Sequence, residues 1–311
     1  MARVLVAGGT GLVGSAISRT FETAGHEVFG ASTKNVDLLN REATFDFIHQ
    51  LKPEIVIDAA AKVGGIGANN SFPVEFLLNN VNIQNNLMEA CHSAKVEKFI
   101  FLGSSCIYPR DCPQPIKEEY LLTGHLEKTN SAYAIAKIAG IELVKSYRKE
   151  YGHKWVSLMP TNLYGPNDNF ELEGSHVLPA LIRKFVEAAE KKASIQYLWG
   201  SGDPLREFLH VDDLARAVLI ASVNFDSDSH LNVGSGSEIS IKNLAELVGE
   251  LAGFEGEIAW DSSKPDGTPR KVLDVSKAKS LGWAPKISLR DGIASTIAWY
   301  KDATAKGVAR Q

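Results

Sequence analysis

The stretch Gly8-Gly-Thr-Gly-Leu-Val-Gly14 constrains this chain more than any other. It follows the short apolar run 4–7 and precedes a helical pattern that carries Val13, Ile17 and Phe21 to a stop at Gly25. Glycines at 8, 11 and 14 in that position let backbone N–H groups and a helix N-terminus approach a pyrophosphate, where the helix dipole favours negative charge. They also let the helix pack closely on the strand. Gly8, Gly9, Thr10, Gly11, Leu12, Val13 and Gly14 are therefore expected to hold a dinucleotide. The bland alternative is a glycine-rich turn without a ligand, and the first strand–helix junction argues against it.

The alternation continues downstream. Strands are expected at 27–31, 55–58, 98–102 and 155–159, and helices at 41–51, 74–93 and from Ser131 to 151. The segments 59–70 and 167–175 read as loops. This order predicts an α/β fold, a Rossmann-type doubly wound parallel sheet with a smaller C-terminal substrate-binding lobe. Residues 1–165 are expected to form the dinucleotide-binding domain, with about 200–235 returning to it. Residues 166–311 are expected to form mainly the lobe. The turns after the strand ends, at 8–14, 59–61 and 104–106, then share one crevice.

A formal net charge of -4 over 311 residues gives no general pull toward nucleic acid or membrane. Cys91, Cys106 and Cys112 lack metal-ligand spacing, so no metal is expected and free thiols in a reducing compartment are. There is no signal-peptide pattern and no apolar run long enough to span a bilayer, which makes the cytoplasm the expected location.

Tyr133 and Lys137 lie one helical turn apart. A phenol holds its proton to about pH 10, and a fixed cation beside it favours phenolate. Alone, the pair reads equally well as two surface residues, and Ser104, just after the fourth strand, as a turn serine. NAD readers usually carry an acidic residue at the end of the second strand, but Gly30-Ala-Ser-Thr-Lys-Asn35 has none. Ser32 and Lys34 suit a 2′-phosphate instead, so NADP is the expected cofactor.

Taken together, these parts resemble the short-chain dehydrogenase/reductase superfamily in its extended, nucleotide-sugar-modifying branch, over essentially the whole chain. The resemblance implies that Tyr133 exchanges a proton with the sugar oxygen at the reacting carbon. It implies that Lys137 holds the nicotinamide ribose and that Ser104 bonds the same oxygen. Leu102, Gly103, Ser104, Ser105, Lys137, Pro160, Thr161, Asn162, Leu163 and His176 would line the cofactor.

Sugar 4,6-dehydratases of this branch carry an Asp-Glu pair where this chain has Cys106 and Ile107. Four stretches, Ser104-Ser-Cys-Ile-Tyr-Pro109, Pro160-Thr-Asn-Leu-Tyr-Gly-Pro166, Asp168-Asn-Phe170 and Ser175-His-Val-Leu-Pro179, closely resemble the GDP-L-fucose synthase family of 3,5-epimerase-4-reductases. That resemblance implies Cys106 as base and His176 as acid in the epimerisation. A thiol ionises near pH ~8.5 unless positive charge lowers it, and an imidazole near ~6.5. It further implies that Lys184, Trp199, Arg206, Asp266 and Lys271 contact the nucleotide of a GDP-sugar, and that a homodimer forms through helices 74–93 and 131–151. Asp212 and Asp213 are expected to cap the next helix, while Cys91 and Cys112 are expected to be unreactive. Two alternatives stay open at this point. One is a nucleotide-sugar 4-epimerase, which needs only the serine, tyrosine and lysine; the other is a non-catalytic dinucleotide sensor.

Overall fold

The computed structural model describes residues 1–172, 174–263 and 266–310. Strand β1 (Arg3–Ala7) leads through the glycine turn into helix α1 (Leu12–Thr23), followed by β2 (Glu27–Ala31), α2 (Arg41–Leu51) and β3 (Ile55–Asp58). Next come α3 (Ile66–Ser71), α4 (Pro73–Ser93), β4 (Lys98–Leu102), α5 (Ser131–Tyr151) and β5 (Val156–Pro160). The later part has β6 (Asn162–Tyr164), α6 (Val177–Glu190), β7 (Ile195–Trp199), β8 (Leu205–Arg206), β9 (Phe208–His210) and α7 (Val211–Asn224). It ends with β10 (Leu231–Val233), β11 (Ile239–Ser240), α8 (Ile241–Ala252), β12 (Glu257–Asp261), β13 (Arg270–Lys271), α9 (Ser276–Ser280) and α10 (Leu289–Ala305).

The main sheet runs β10-β5-β4-β3-β1-β2 with every pairing parallel. Its inner strands are covered on both faces, which is why they read as nearly unbroken apolar runs. Period-two alternation divides those runs between two cores. Leu5, Val56, Phe99 and Phe101 join residues of α2, α4 and α5, whereas Val4, Val6, Ile57 and Ile100 join residues of α1 and α7. A third core, around Phe185, Val248 and Tyr300, holds α6, α8 and α10 together. Strand order reverses at β1, with β2 on one side and β3 on the other, and such a reversal opens a ligand crevice beyond the strands' C-terminal ends. The last strand, β10, belongs to this sheet although it follows the first elements of the lobe. No helix among the described residues is long and apolar enough to cross a membrane.

One close approach places the crevice chemistry. A Cβ at Gly140 of α5 would overlap the Phe101 ring on β4, so only glycine lets α5 settle this low on the strand. The Gln84 amide donates to the Ala136 carbonyl at 2.9 Å and ties α4 to the same helix.

Several local expectations differ from what is found. The segment 59–70 contains α3, six residues with no apolar stripe to reveal it. The stretch after β5 contains β6, which pairs with β9 in parallel but is too short to show a period. The described residues of 167–175 carry no helix or strand, as expected of a loop, although Phe170 is fully buried against Tyr300, with ring centroids 4.5 Å apart. Lys264 and Pro265, part of the stretch expected at the nucleotide, lie outside the described residues.

The aspartates after β9 do not cap α7. His210 does, its Nδ1 accepting from the Asp212 amide at 3.2 Å. Asp213 is fully buried and clamps the C-terminal segment instead. It accepts from the Lys286 amide at 3.1 Å, from the Ile287 amide at 3.0 Å and from Arg216, while its carbonyl accepts from the Trp283 indole at 3.0 Å. Removing the carboxylate leaves two part-buried amides and a guanidinium without their partner. Asp213→Ala is expected to lower the unfolding free energy by about 3 kcal/mol. Urea denaturation measures it, and a loss within experimental error would mean the segment is held by its apolar contacts alone.

Candidate active site

At the sheet's C-terminal edge the glycine turn is tight against its neighbours and open toward the crevice. Gly8 has φ 76°, and a Cβ on Gly14 would overlap the Gly8 carbonyl oxygen. At Gly11 the nearest atom to an added Cβ is 3.5 Å away, so packing does not demand glycine there. Gly11 is the N-cap of α1, and no side chain caps that helix or adds an acid to its first turn. An uncapped helix start beside an unobstructed glycine fits the pyrophosphate of a dinucleotide. At the neighbouring strand end, Asn35 fixes the loop by accepting from the Ser32 amide at 2.7 Å and donating to the Gly30 carbonyl at 2.9 Å. Lys34 is exposed there.

The next strand ends carry the polar centre. Lys137 is 2 % exposed, and its ammonium donates to the Leu102 carbonyl at 3.0 Å while lying 4.8 Å from the Phe101 ring centre. Tyr133, one turn earlier, has its ring centre 6.0 Å from that ammonium and its edge against Phe76. The Ser104 hydroxyl is within hydrogen-bonding reach of the phenol and also accepts from the Cys106 amide at 3.3 Å. The tyrosine is not biased toward phenolate as the helical pair alone suggests. Burial and the facing Cys106 push it above its ordinary value, and Ser104 offsets this only in part. The Lys137 charge is directed elsewhere, and burial pulls it below the ordinary lysine value despite the Asp58 charge.

Cys106 lies in a short 3₁₀ turn after β4. Its sulfur accepts from the Asn130 amide group at 3.4 Å and lies 3.8 Å from the Lys271 ammonium. His176 is the N-cap of α6 and is exposed. Its loop is joined to the start of α3 by the Gly65 amide, which donates to the Gly174 carbonyl at 3.0 Å. Desolvation lowers the His176 imidazole below its ordinary value.

Farther out, the Lys184 ammonium sits 5.7 Å from the ring centre of Trp199, which is 72 % exposed at the end of β7. Arg206 pairs in register with Lys271 across β8 and β13. Asp266 accepts from the Ser201 amide and hydroxyl at 3.0 and 2.8 Å. The structure thus brings Lys184 to Trp199 and Lys271 to Cys106. Thr161 and Asn162 are fixed to the residue between β8 and β9, Asn162 donating to the Glu207 carbonyl at 2.8 Å.

Three residues at the site escaped the sequence reading. Asp58 ends β3, is 1 % exposed and has one carboxylate oxygen without a partner. Burial raises its carboxyl to about 6, against the opposing pull of Lys137. A carboxylate closing an apolar strand was the available signal. Glu207 is fully buried and accepts from the Leu273 amide at 3.0 Å and from the Gly236 amide, linking β8 to the segment after β13. Asn130 immediately precedes the helix that carries Tyr133. No cluster of His, Cys, Asp or Glu among the described residues could hold a metal ion.

Residues 4–234 match the NAD dependent epimerase/dehydratase family. The chain is 53 % identical to GDP-L-fucose synthase 1 of Arabidopsis thaliana over 300 residues, covering 96 % of this chain and 93 % of that protein. It is 48 % identical to GDP-L-fucose synthase of Escherichia coli strain K12 over 308 residues, covering 96 % of each. Among solved structures, a GDP-L-fucose synthetase from Naegleria fowleri bound to NADP superposes with a TM-score of 0.91 at 31 % identity, covering 100 % of this chain and 96 % of that one. With its sheet order, glycine turn and Ser-Tyr-Lys centre, the chain belongs to the NAD dependent epimerase/dehydratase family, on the branch occupied by the GDP-L-fucose synthases.

Proposed function

We propose that this chain is a bifunctional epimerase-reductase that converts GDP-4-keto-6-deoxy-D-mannose to GDP-L-fucose. It inverts C3 and C5 and then reduces C4 with NADPH. The observation that carries this reading is the sulfur of Cys106, set beside Ser104 and Tyr133 and open to the crevice. A plain 4-epimerase has no use for it. Relatives about half identical over nearly the whole chain support the same reading.

The ketone at C4 acidifies the protons on C3 and C5. Cys106 takes such a proton from one face of the ring, forming S–H, and the C–H electron pair moves to the ketone oxygen as an enolate. Ser104 and Tyr133 hydrogen-bond that oxygen, where the negative charge develops. His176 returns a proton from the opposite face. Its lowered basicity makes it a ready donor once charged, and the arriving substrate diphosphate favours the charged form.

When bound, NADPH supplies the hydride that reduces C4. Tyr133 protonates the resulting oxygen, and the burial that keeps the phenol protonated suits that task. Lys137 holds the nicotinamide ribose. Gly8–Gly14 would hold the pyrophosphate, and Leu102–Ser105, Pro160–Leu163 and His176 would complete the cofactor wall. Ser32 and Lys34 meet the 2′-phosphate. Lys184, Trp199, Arg206, Asp266 and Lys271 contact the GDP end, Trp199 offering its exposed face to the purine. Exposed Val74 and Leu78 on α4, with Ile135 and Tyr151 on α5, support a homodimer paired through these helices. The cytoplasm is the assigned setting, since it keeps the Cys106 thiol reduced.

Incubation with GDP-4-keto-6-deoxymannose and NADPH is expected to yield GDP-L-fucose with one NADPH consumed per product; turnover without net NADPH oxidation would favour the 4-epimerase reading. Cys106→Ser is expected to slow solvent deuterium entry at C3 and C5 by about 100-fold or more while NADPH binding persists. Exchange at the wild-type rate would remove Cys106 from the base role. In calorimetric titration NADPH should bind more tightly than NADH, and the reverse order would contradict the assignment of Ser32 and Lys34. Light scattering should give twice the chain mass; a monomer would end the pairing proposal.

A further inference from the structure

The recess beside Cys106 holds a charge that nucleotide binding alone does not explain. In β13, successive residues point to opposite sides. Arg270 turns outward to Glu238, at 2.8 and 3.0 Å, while Lys271 turns inward until its ammonium is 3.8 Å from the Cys106 sulfur. Among the described residues no carboxylate forms an ion pair with Lys271. A cation is therefore aimed at a thiol and at no competing anion.

Its backbone is fixed on both sides. The Leu205 amide donates to the Pro269 carbonyl at 2.8 Å before it, and the Leu273 amide donates to Glu207 at 3.0 Å after it. The Val272 amide donates to the Gln114 side chain at 2.9 Å, and the Ile116 amide donates to the Val272 carbonyl at 2.8 Å. Gln114 and Ile116 lie on the same connection, between β4 and α5, that carries Cys106. The cation and the sulfur are thus positioned by one framework, although 165 residues separate them in sequence.

We infer that Lys271 is a positioning residue for proton abstraction: its ammonium is the fixed cationic partner of the Cys106 sulfur during the step, and Asn130 orients that sulfur. The inference rests on the reading of Cys106 as base and gives Lys271 a task beyond contact with GDP. The protons balance simply. The thiolate gains the C–H proton, the electron pair passes to the ketone oxygen, and Lys271 keeps its three protons throughout. Charge moves from sulfur to enolate oxygen beside a constant cation, so the step needs little rearrangement around it.

The other groups facing the recess have partners of their own, and the buried Tyr108 hydroxyl donates to Asn232 and meets His230. Arg110 is paired with Glu127 at 3.5 Å, and Glu127 also lies 3.4 Å from the Thr268 hydroxyl. Arg270 is held by Glu238. Tyr133 faces the sulfur as a buried, protonated phenol, with Ser104 beside it. Cys112 is pushed up by burial and also faces Lys271, so it must be removed from any thiol assay.

The test uses the NADPH-bound enzyme in a Cys112→Ser background, with Cys91 buried. Alkylation of Cys106 by iodoacetamide is followed by peptide mass spectrometry from about pH 6 to about pH 9.5, a range that spans ordinary thiol ionisation. Lys271→Met is expected to slow alkylation about tenfold near pH 7 and to converge on the parent rate at the alkaline end, where a thiol ionises unaided. Lys271→Arg should restore the neutral rate, which a merely structural loss would not allow. Deuterium entry at C3 and C5 should fall in the same proportion and recover as pH rises. An unchanged alkylation profile in Lys271→Met, with only KM for the GDP-sugar raised, would overturn the inference and leave Lys271 as a nucleotide contact. The base reading fails separately: deuterium entry surviving in Cys106→Ser would refute it even if Lys271 still governs alkylation.

Discussion

A lysine with 2 % of its surface exposed is costly unless its charge is met, and here that requirement organises the end of the sheet. The Lys137 ammonium is met by the Leu102 carbonyl at the last residue of β4, by the Phe101 ring face, and by the field of Asp58 at the last residue of β3. These partners come within reach only because α5 lies close on β4 at Gly140. Once the ammonium is seated, helical geometry fixes Tyr133 one turn earlier, over the turn that carries Ser104 and Cys106. The same seating explains the state of Asp58. One of its oxygens accepts from the Ala60 amide at 3.2 Å and the other has no partner, so burial outweighs the lysine and its carboxyl rises to about 6.

The two halves of the proposed chemistry sit on different supports. Proton delivery at C4 uses groups at the ends of the central strands, held by the main cores. Inversion at C3 and C5 uses Cys106 and His176, which stand where the lobe meets the sheet. That seam is closed by specific polar bonds. Gln114 and Ile116 join Val272, Glu127 reaches Thr268, and Glu207 accepts from both Leu273 and Gly236. A buried carboxylate bonded to two separate segments resists their separation, because the carboxylate and the buried Leu273 amide would each lose a partner.

The sequence shows what is local in it. The glycine turn, the strand–helix alternation and the four-residue spacing of Tyr133 and Lys137 are each contained in one short window, and the fold class follows from them. Contacts that join distant windows are absent from any such pattern. Nothing in β13 marks Lys271 as a neighbour of Cys106, and nothing around Asp213 distinguishes a helix cap from a clamp on the segment 283–287. Electrostatic direction is the other gap. A local charge pair suggests a depressed tyrosine, whereas the three-dimensional surroundings supply burial and a facing sulfur that push it the other way. The short elements α3 and β6 went unseen for a simpler reason: six and three residues carry too little periodicity to be read.

That reversal at Tyr133 bears on the order of the proposed steps. Inversion depends on the C4 carbonyl, since only the ketone acidifies C3 and C5, so reduction has to come last. A tyrosine biased toward phenolate would make a poor hydrogen-bond donor to the enolate and would lack the proton needed at the end. Raised by burial, it would in the proposed scheme donate a hydrogen bond through both inversions and release its proton only to the far stronger base formed when C4 is reduced. Cys106 has the opposite requirement, as it must be ready to accept a proton from the outset. The two residues face each other, and the sulfur lies 3.8 Å from the Lys271 ammonium while the Lys137 ammonium donates to the Leu102 carbonyl. In the proposed scheme the two roles follow from surroundings more than from residue type: burial around the phenol, and an ammonium beside the sulfur.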